Sequence, residues 1–161
     1  MPAPLFLRPP GARPEREFLA RCLHCGQCAQ VCPYKSIRLT TGTDPLTAGT
    51  PRILPRAIPC YLCMRCPPAC PSGALAPLDI KDVRMGLAEI DRDACLPWSS
   101  QIVCRSCFEA CPLKGRAIDF KDGMFPVVTA LCAGCGLCEH VCPVKAVTTL
   151  PERMRPARRG A

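Results

Sequence analysis

The sequence predicts a small, loop-rich α+β fold assembled from four repeats of one cysteine motif. All 16 cysteines of the 161-residue chain fall into four groups of similar spacing, each ending in Cys-Pro. The 20 prolines and 11 glycines favour loops and short elements. Aromatic residues are few, so the apolar core is weak, and small domains of this kind need metals or other staples. We therefore expect inorganic centres to form much of the core, and the fold to depend on them.

Motif 1 has the spacing Cys22-x2-Cys25-x2-Cys28-x3-Cys32, followed by Pro33. Motif 2 (residues 60–70) and motif 4 (residues 132–142) repeat this spacing. Motif 3 (residues 95–111) has eight residues instead of two between its first two cysteines. The full set of candidate ligands is Cys22, Cys25, Cys28, Cys32, Cys60, Cys63, Cys66, Cys70, Cys95, Cys104, Cys107, Cys111, Cys132, Cys135, Cys138 and Cys142.

This spacing is typical of [4Fe–4S] clusters. Three thiols spaced two residues apart allow one tight loop to bind three corners of a cubane, and in two-cluster ferredoxins the fourth thiol ligates the neighbouring cluster. The following proline lacks an N–H and turns the chain out of the loop. The motifs therefore predict four [4Fe–4S] clusters bound by all sixteen cysteines, in tandem bacterial 2[4Fe–4S] ferredoxin-like modules.

The likeness between motifs favours one pairing for the exchange of fourth ligands. Motifs 1 and 4 share Gly after the second cysteine (Gly26, Gly136) and Lys three residues after the last (Lys35, Lys145). This favours a nested arrangement, in which motif 1 exchanges ligands with motif 4 and motif 2 with motif 3. Sequential exchange, motif 1 with motif 2 and motif 3 with motif 4, is the alternative.

Other readings of the cysteines fit less well. Structural zinc sites usually use separated C-x2-C pairs, and a disulfide scaffold would be expected with an export signal and irregular spacings. An enzymatic cluster would leave one iron without a thiol, whereas every group here has four cysteines. Dinucleotide, P-loop and nucleophile–base motifs are also absent from the sequence. We therefore predict an electron carrier without catalytic residues.

Short elements are expected around the motifs. Residues 1–13 are Pro-rich and have little propensity for order, and Pro14 is suited to position N1 of a short helix, PEREFLARC. Ile37 and Leu39 alternate as in a strand, and residues 40–59 are rich in turn formers and predict a connector.

The second half continues this pattern. Residues 78–91 predict either a short helix or an edge strand, and GMFPVVTAL (123–131) and PVKAVTTL (143–150) contain strand-like segments. We expect each motif to be followed by a proline, a turn and a short β segment. The domain organisation is then an N-terminal arm and lead-in helix (1–21), a four-cluster domain (22–150) and a basic C-terminal tail (151–161).

The formal net charge of +8 does not indicate nucleic-acid binding, because it counts the cysteines as neutral. An oxidised cluster with four thiolates carries about −2, so four clusters bring the holoprotein close to neutrality. The basic ends suit solubility, or docking to an acidic partner or a lipid surface. Their arginines are Arg8, Arg13, Arg16, Arg21, Arg153, Arg155, Arg158 and Arg159. No stretch resembles a transmembrane segment or a signal peptide.

Three residues inside the motifs invite other roles. His24 and His140 lie in cluster loops whose ligand sets are already complete, so we expect contact with sulfur or solvent and not ligation. Trp98 lies in the insert of motif 3, where it either shields that cluster from water or fills a gap.

With these motifs placed, the chain resembles the ferredoxin-type proteins of the NapG/MauM group over nearly its whole length. The resemblance lies in LRPPGA (7–12), CGQCAQVCPY, IKDVRMGLAEID and the stretched third motif with CFEACPL. It implies electron transfer from a membrane-bound, quinol-oxidising ferredoxin to a periplasmic reductase, such as periplasmic nitrate reductase.

The chain departs from this family pattern at two points. The family usually begins with a twin-arginine leader, and this sequence starts about where the mature part would begin. A periplasmic protein whose leader has been removed is therefore expected, with a cytoplasmic form as the alternative. The spacing of motif 2 is also tighter than in the family.

Two other functions remain as alternatives. One is the iron–sulfur β-type subunit of a molybdoenzyme complex, which would be expected to have a regular third motif. The other is a maturation factor that binds a reductase without passing electrons to it.

Overall fold

The computed structural model describes residues 6–152; residues 1–5 and 153–161, which include most of the predicted basic tail (151–161), lie outside the described residues. The helices are short: α1 Glu15–Arg21, α2 Gln27–Gln30, α3 Leu96–Ser100, α4 Ser106–Glu109 and α5 Leu137–Val141. The strands are β1 Ile37–Leu39, β2 Pro51–Ile53, β3 Gly86–Ile90, β4 Ile118–Lys121, β5 Phe125–Val128 and β6 Val147–Pro151. A 3-10 helix, Ile80–Asp82, precedes β3.

The strands form three antiparallel pairs. In β1–β2, Ile37 lies opposite Ile53, and in β4–β5, Ile118 lies opposite Val128. The third pair joins β3 to β6, which are distant in the sequence and enclose motifs 3 and 4 between them. The β1–β2 hairpin therefore lies between motifs 1 and 2 and the β4–β5 hairpin between motifs 3 and 4, whereas β3 and β6 bring together the two ends of the segment that contains motifs 3 and 4.

Several predicted elements are confirmed. The predicted helix is found as α1, although Pro14 is its N-cap and not its first residue, and β1 covers the predicted alternation. Of the two alternatives for residues 78–91, the strand is correct for its second half, as β3. The connector at residues 40–59 also contains β2, which was not predicted.

The expected β segment after each motif is found after motifs 1, 3 and 4 as β1, β4 and β6, but not after motif 2. There, Leu75 forms an isolated antiparallel bridge with Ala12 of the N-terminal arm. The arm also reaches β2, where Leu7 bridges Ile53. The arm thus pairs with the segment after motif 2, where the expected strand does not form.

The expectation of little order at residues 1–13 was wrong for the described part of the arm. Arg8 is buried, and it forms an ion pair with Glu15 and donates hydrogen bonds to Thr50 Oγ1 (2.9 Å) and to the Pro51 carbonyl (2.8 Å). Two of these partners, Thr50 and Pro51, lie about forty residues away in the sequence, so local propensity does not reveal the order of the arm.

The buried side chains lie around the cysteine motifs. Phe18, Ile53, Leu75 and Val83 are fully enclosed in one group, which also contains Ala133 and Cys135 of motif 4. Ile118 belongs to a second group around motifs 3 and 4. The two halves of the fold therefore share part of their core. Within residues 6–152, no helix has the length and apolar character required to cross a membrane.

Candidate iron–sulfur site

The structure brings the sixteen thiols together as four quartets. Each quartet lines one cavity and combines three cysteines of one motif with the last cysteine of another. Quartet 1 is Cys22, Cys25, Cys28 and Cys70; quartet 2 is Cys60, Cys63, Cys66 and Cys32; quartet 3 is Cys95, Cys104, Cys107 and Cys142; quartet 4 is Cys132, Cys135, Cys138 and Cys111. The four cavities are similar in size.

The nested pairing predicted from the sequence is not the arrangement found. Cys32 of motif 1 lies with the thiols of motif 2, and Cys70 of motif 2 lies with those of motif 1. Cys111 and Cys142 are exchanged in the same way between motifs 3 and 4. The exchange is therefore sequential, because the hairpin β1–β2 returns the chain to motif 1 and the hairpin β4–β5 returns it to motif 3.

The likeness between motifs 1 and 4 has a local cause. Gly26 and Gly136 are the N-caps of α2 and α5, with φ of 72° and 81°. Lys35 and Lys145 both occupy a left-handed turn after the last cysteine, with φ of 54° and 55°. The shared residues report the shape of each loop, and loop shape does not determine which motif supplies the fourth thiol.

Short helices direct the last cysteine of three motifs. Helices α2, α4 and α5 each contain the third cysteine of their motif and end at or just before the fourth. Motif 2 has turns in this position, since Pro67 and Pro68 follow Cys66 and neither has an N–H for a helical hydrogen bond. The helical and turn forms both deliver the last cysteine to the neighbouring quartet.

The insert of motif 3 forms helix α3, and Cys95 is its N-cap. Trp98 packs behind the quartet 3 cavity: its ring lies 4.7 Å from that of Phe125, and its Nε1–H donates to the Pro126 carbonyl (3.1 Å). Pro97 and Pro126 line the cavity itself. Of the two roles expected for Trp98, the contacts fit the filling of a gap behind the cavity wall.

Backbone amides point at cysteine sulfurs. The N–H of Leu75 donates to Cys70 Sγ (3.4 Å), that of Gly134 to Cys132 Sγ (3.4 Å) and that of Ala146 to Cys142 Sγ (3.2 Å). Such bonds are among the features that set the reduction potential of iron–sulfur clusters. The sequence could not reveal them, because they depend on loop conformation and not on side-chain identity.

Most quartet thiols are poor acids in the absence of a cation. Burial, reinforced by neighbouring thiolates, raises the pKa of Cys60 and of Cys66 to about 12. Burial also acts to raise the pKa of Cys32, but hydrogen bonds from amide N–H groups and the Ser36 hydroxyl outweigh it, so that pKa is lowered. A quartet of thiolates is therefore stable only with a positively charged partner, which an iron–sulfur core supplies.

The spacing of the thiols suits a group larger than one ion. Among residues 6–152, no three His, Cys, Asp or Glu side chains lie close enough together to hold a single metal ion. A cubane spreads its four thiolates over four iron corners. The cavities, the amide donors and the charge of the quartets thus fit a [4Fe–4S] cluster better than a zinc ion.

The quartets have a spatial order. Cys28 of quartet 1 lies near enough to Cys66 of quartet 2 for their charges to interact, and Cys107 of quartet 3 is placed similarly beside Cys138 of quartet 4. Quartets 2 and 4 also meet, because the N–H of Cys60 donates to the carbonyl of Cys135 (2.8 Å). These charge interactions and the hydrogen bond indicate the order of quartets 1, 2, 4 and 3.

The remaining motif residues have structural contacts. His24 is exposed, and the Nδ1–H of His140 donates to the Arg56 carbonyl (3.1 Å). Tyr34 and Tyr61 stack with centroids 4.3 Å apart, and both line the quartet 2 cavity. Tyr34 was not predicted as a site residue, although it lies only two residues after Cys32.

Comparison with known proteins agrees with this arrangement. Residues 21–74 and residues 88–150 each match a family described as a 4Fe–4S dicluster domain. The first match contains motifs 1 and 2 and the second contains motifs 3 and 4, so each dicluster unit coincides with one pair of exchanged motifs. Two dicluster units and sixteen cysteines fit four [4Fe–4S] clusters.

Relatives extend over most of the chain. The methylamine utilization ferredoxin-type protein MauM of Paracoccus denitrificans is 43% identical over 161 residues, covering 90% of this chain and 71% of the relative. MauM of Methylophilus methylotrophus is 39% identical, covering 96% and 75%. The ferredoxin-type protein NapG of Escherichia coli is 41% identical, covering 90% and 70%. The chain belongs to the family of ferredoxin-type proteins that includes MauM and NapG, and it is an iron–sulfur electron-transfer protein.

Proposed function

We propose that all sixteen cysteines are iron ligands and that the four quartets hold one [4Fe–4S] cluster each. The observation that carries this proposal is the repeated geometry of the quartets, in which one loop supplies three thiols and the paired motif supplies the fourth. The cluster-binding domain then extends over residues 22–150, with residues 1–21 as arm and lead-in helix.

The protein acts as an electron relay and not as an enzyme. Each bound cluster takes up and releases an electron, while the chain fixes the order in which the clusters meet. The hydrogen bond between Cys60 and Cys135, and the charge interactions of the outer quartets with the inner ones, support the order 1–2–4–3. Quartets 1 and 3 are then the two ends of the relay.

The ends carry exposed apolar side chains next to ligand cysteines. Leu23 follows Cys22 and is 67% exposed, and Val103 precedes Cys104 and is 75% exposed. Small apolar patches around an exposed centre suit transient docking of redox partners, whose interfaces are at the small end of the range. One end would receive electrons and the other would deliver them.

The partners follow from the likeness to NapG and MauM. We propose that the protein works in the periplasm and carries electrons from a quinol-linked membrane ferredoxin to a reductase such as periplasmic nitrate reductase. MauM is named for methylamine utilization, so a redox enzyme of amine metabolism is the second candidate partner.

The first experiment is metal and sulfide analysis of anaerobically purified protein, with EPR spectra of the reduced form. About sixteen irons and sixteen acid-labile sulfides per chain are expected, with signals broadened by neighbouring clusters. About four zincs without sulfide would overturn the proposal. Mixing the reduced protein with a candidate reductase then distinguishes a relay, which is reoxidised, from a maturation factor, which binds without being reoxidised.

A further inference from the structure

The two dicluster units meet through the ligand cysteines themselves. The N–H of Cys60 donates a 2.8 Å hydrogen bond to the carbonyl of Cys135. The path from one sulfur to the other therefore contains only the atoms of two cysteines and one hydrogen bond. A second backbone bond runs beside it, from the N–H of Met85 to the carbonyl of Ala133 (3.0 Å).

Side chains also stabilise this joint between the two dicluster units. Arg56, from the segment before motif 2, pairs with Glu139 of α5 (Nε–Oε1 3.5 Å) and donates through Nη2 to the Val147 carbonyl of β6 (3.1 Å). Glu139 is 8% exposed and also accepts the N–H of Thr149 (2.7 Å). The segment that leads into quartet 2 is thus fastened to the helix and strand that surround quartet 4.

Close packing explains the two glycines of motif 4. Gly134 and Gly136 have φ of 71° and 81°, but the corresponding residues of motif 2, Leu62 and Met64, have φ of 52° and 55°. Left-handed backbone at these positions is therefore compatible with large side chains. Conformation alone does not account for glycine in motif 4.

Close approach does account for it. A Cβ at Gly136 would lie 2.3 Å from the Cβ of Pro55, and a Cβ at Gly134 would lie 2.3 Å from the backbone nitrogen of Gly86. Pro55 belongs to the segment before motif 2, so its contact with Gly136 is part of the same joint. At Gly26, the matching residue of motif 1, the nearest atom is a Leu39 methyl at 3.7 Å.

We propose that the Cys60–Cys135 hydrogen bond is the route by which electrons pass between the two dicluster units, and that Gly136 and the Arg56–Glu139 pair are positioning residues that keep it closed. This inference rests on the proposed relay function. One electron leaves one unit and arrives in the other, and no covalent bond forms or breaks. No further oxidant or reductant takes part in this step.

The test compares holoproteins that carry Gly136→Ala and Gly26→Ala. Both substitutions place a methyl group on a left-handed helix N-cap, but only the first displaces Pro55. We expect both to keep their iron. In Gly136→Ala alone, the Cys60 amide should exchange hydrogen faster, and the broadening of the reduced EPR signals should decrease. Redistribution of electrons between the units, followed by freeze-quench EPR, should slow in the same variant.

A second pair keeps the test decisive if Gly136→Ala does not fold. Arg56→Ala removes the ion pair with Glu139 and the hydrogen bond to Val147, and Arg21→Ala removes an exposed arginine whose pair with Glu17 lies within α1. Faster hydrogen exchange at the Cys60 amide, less EPR broadening and slower redistribution of electrons are expected in Arg56→Ala and not in Arg21→Ala. Unchanged redistribution despite faster exchange at Cys60 would overturn the route. Failure of the wild-type protein to contain four clusters would instead overturn the relay function.

Discussion

Cys32 and Cys60 line one cavity, although they come from different motifs and are separated by the β1–β2 hairpin. Cys70 completes the exchange by lining the cavity of motif 1. Each dicluster unit is therefore formed by two motifs that exchange their last cysteines. The loss of such a cysteine should affect the cluster held by the paired motif.

This arrangement predicts which substitutions should have equivalent effects. Cys32→Ala removes a ligand from quartet 2, so its EPR spectrum should lose the same signal as that of Cys63→Ala. Cys70→Ala should instead match Cys25→Ala, because both act on quartet 1. Iron analysis should show a loss of up to about four irons per chain in each variant.

The control is the reciprocal comparison between units. Under nested exchange, Cys32→Ala would lose the same signal as Cys135→Ala of motif 4. That outcome would contradict the sequential arrangement, whereas matched spectra for Cys32→Ala and Cys63→Ala would support it.

The predictable part of this protein is the part encoded locally. Cysteine spacing predicted the cluster type, Pro14 and the segment after it predicted α1, and alternation predicted β1, because loops and short elements depend on neighbouring residues. The pairing of motifs was not predictable in this way. Gly26 and Gly136 are alike because both cap helices in left-handed conformation, and this says nothing about distant partners.

The joint between the units also could not be read from the sequence. Arg56 and Glu139 are more than eighty residues apart and lie in no common motif, and two partners of Arg8, Thr50 and Pro51, lie about forty residues from it. Single-sequence patterns contain no signal for such contacts. The ligand roles of the sixteen cysteines stay a prediction that the metal analysis tests.

The N-terminal arm supplies a prediction about stability. Arg8 and Glu15 form a two-point ion pair (2.6 and 3.1 Å), with side chains 6% and 10% exposed. Arg8→Ala leaves the Glu15 carboxylate buried without its partner, a change that costs about 3–5 kcal/mol. The holoprotein should therefore lose its visible cluster absorption at a lower temperature.

The matched control for this prediction is Arg21→Ala. Its pair with Glu17 is exposed, and such pairs contribute about 0–1 kcal/mol. Equal thermal sensitivity of Arg8→Ala and Arg21→Ala would show that the arm does not contribute to the fold as described.

The Tyr34–Tyr61 stack predicts a change in reduction potential. Both rings line the quartet 2 cavity, so Tyr61→Ala should admit water to it. A four-thiolate cluster becomes more negative on reduction, and water stabilises the more highly charged form, so the potential should rise. A tenfold change in a one-electron equilibrium is about 59 mV, and we expect a shift of this order in an EPR-monitored titration. Tyr61→Phe keeps the ring and should leave the potential unchanged; equal shifts in both variants would argue against solvent exclusion.

Trp98 predicts a local effect on quartet 3. Its ring contacts Phe125 and is covered by the guanidinium of Arg92, 4.2 Å from the ring centroid. Because Trp98 is only partly buried, Trp98→Ala should cost less than the about 3–5 kcal/mol typical of core aromatic residues.

The cost should appear at one cluster, since α3 holds Cys95 and the other three quartets have no residue in this helix. On gentle heating under anaerobic conditions, Trp98→Ala should release about four irons per chain before the rest. Trp98→Phe keeps an aromatic ring against Phe125 and loses only the hydrogen bond to Pro126, worth about 1 kcal/mol, so its iron should be released nearly as in the wild type. Simultaneous loss of all the iron from Trp98→Ala would mean that the insert supports the whole fold and not quartet 3 alone.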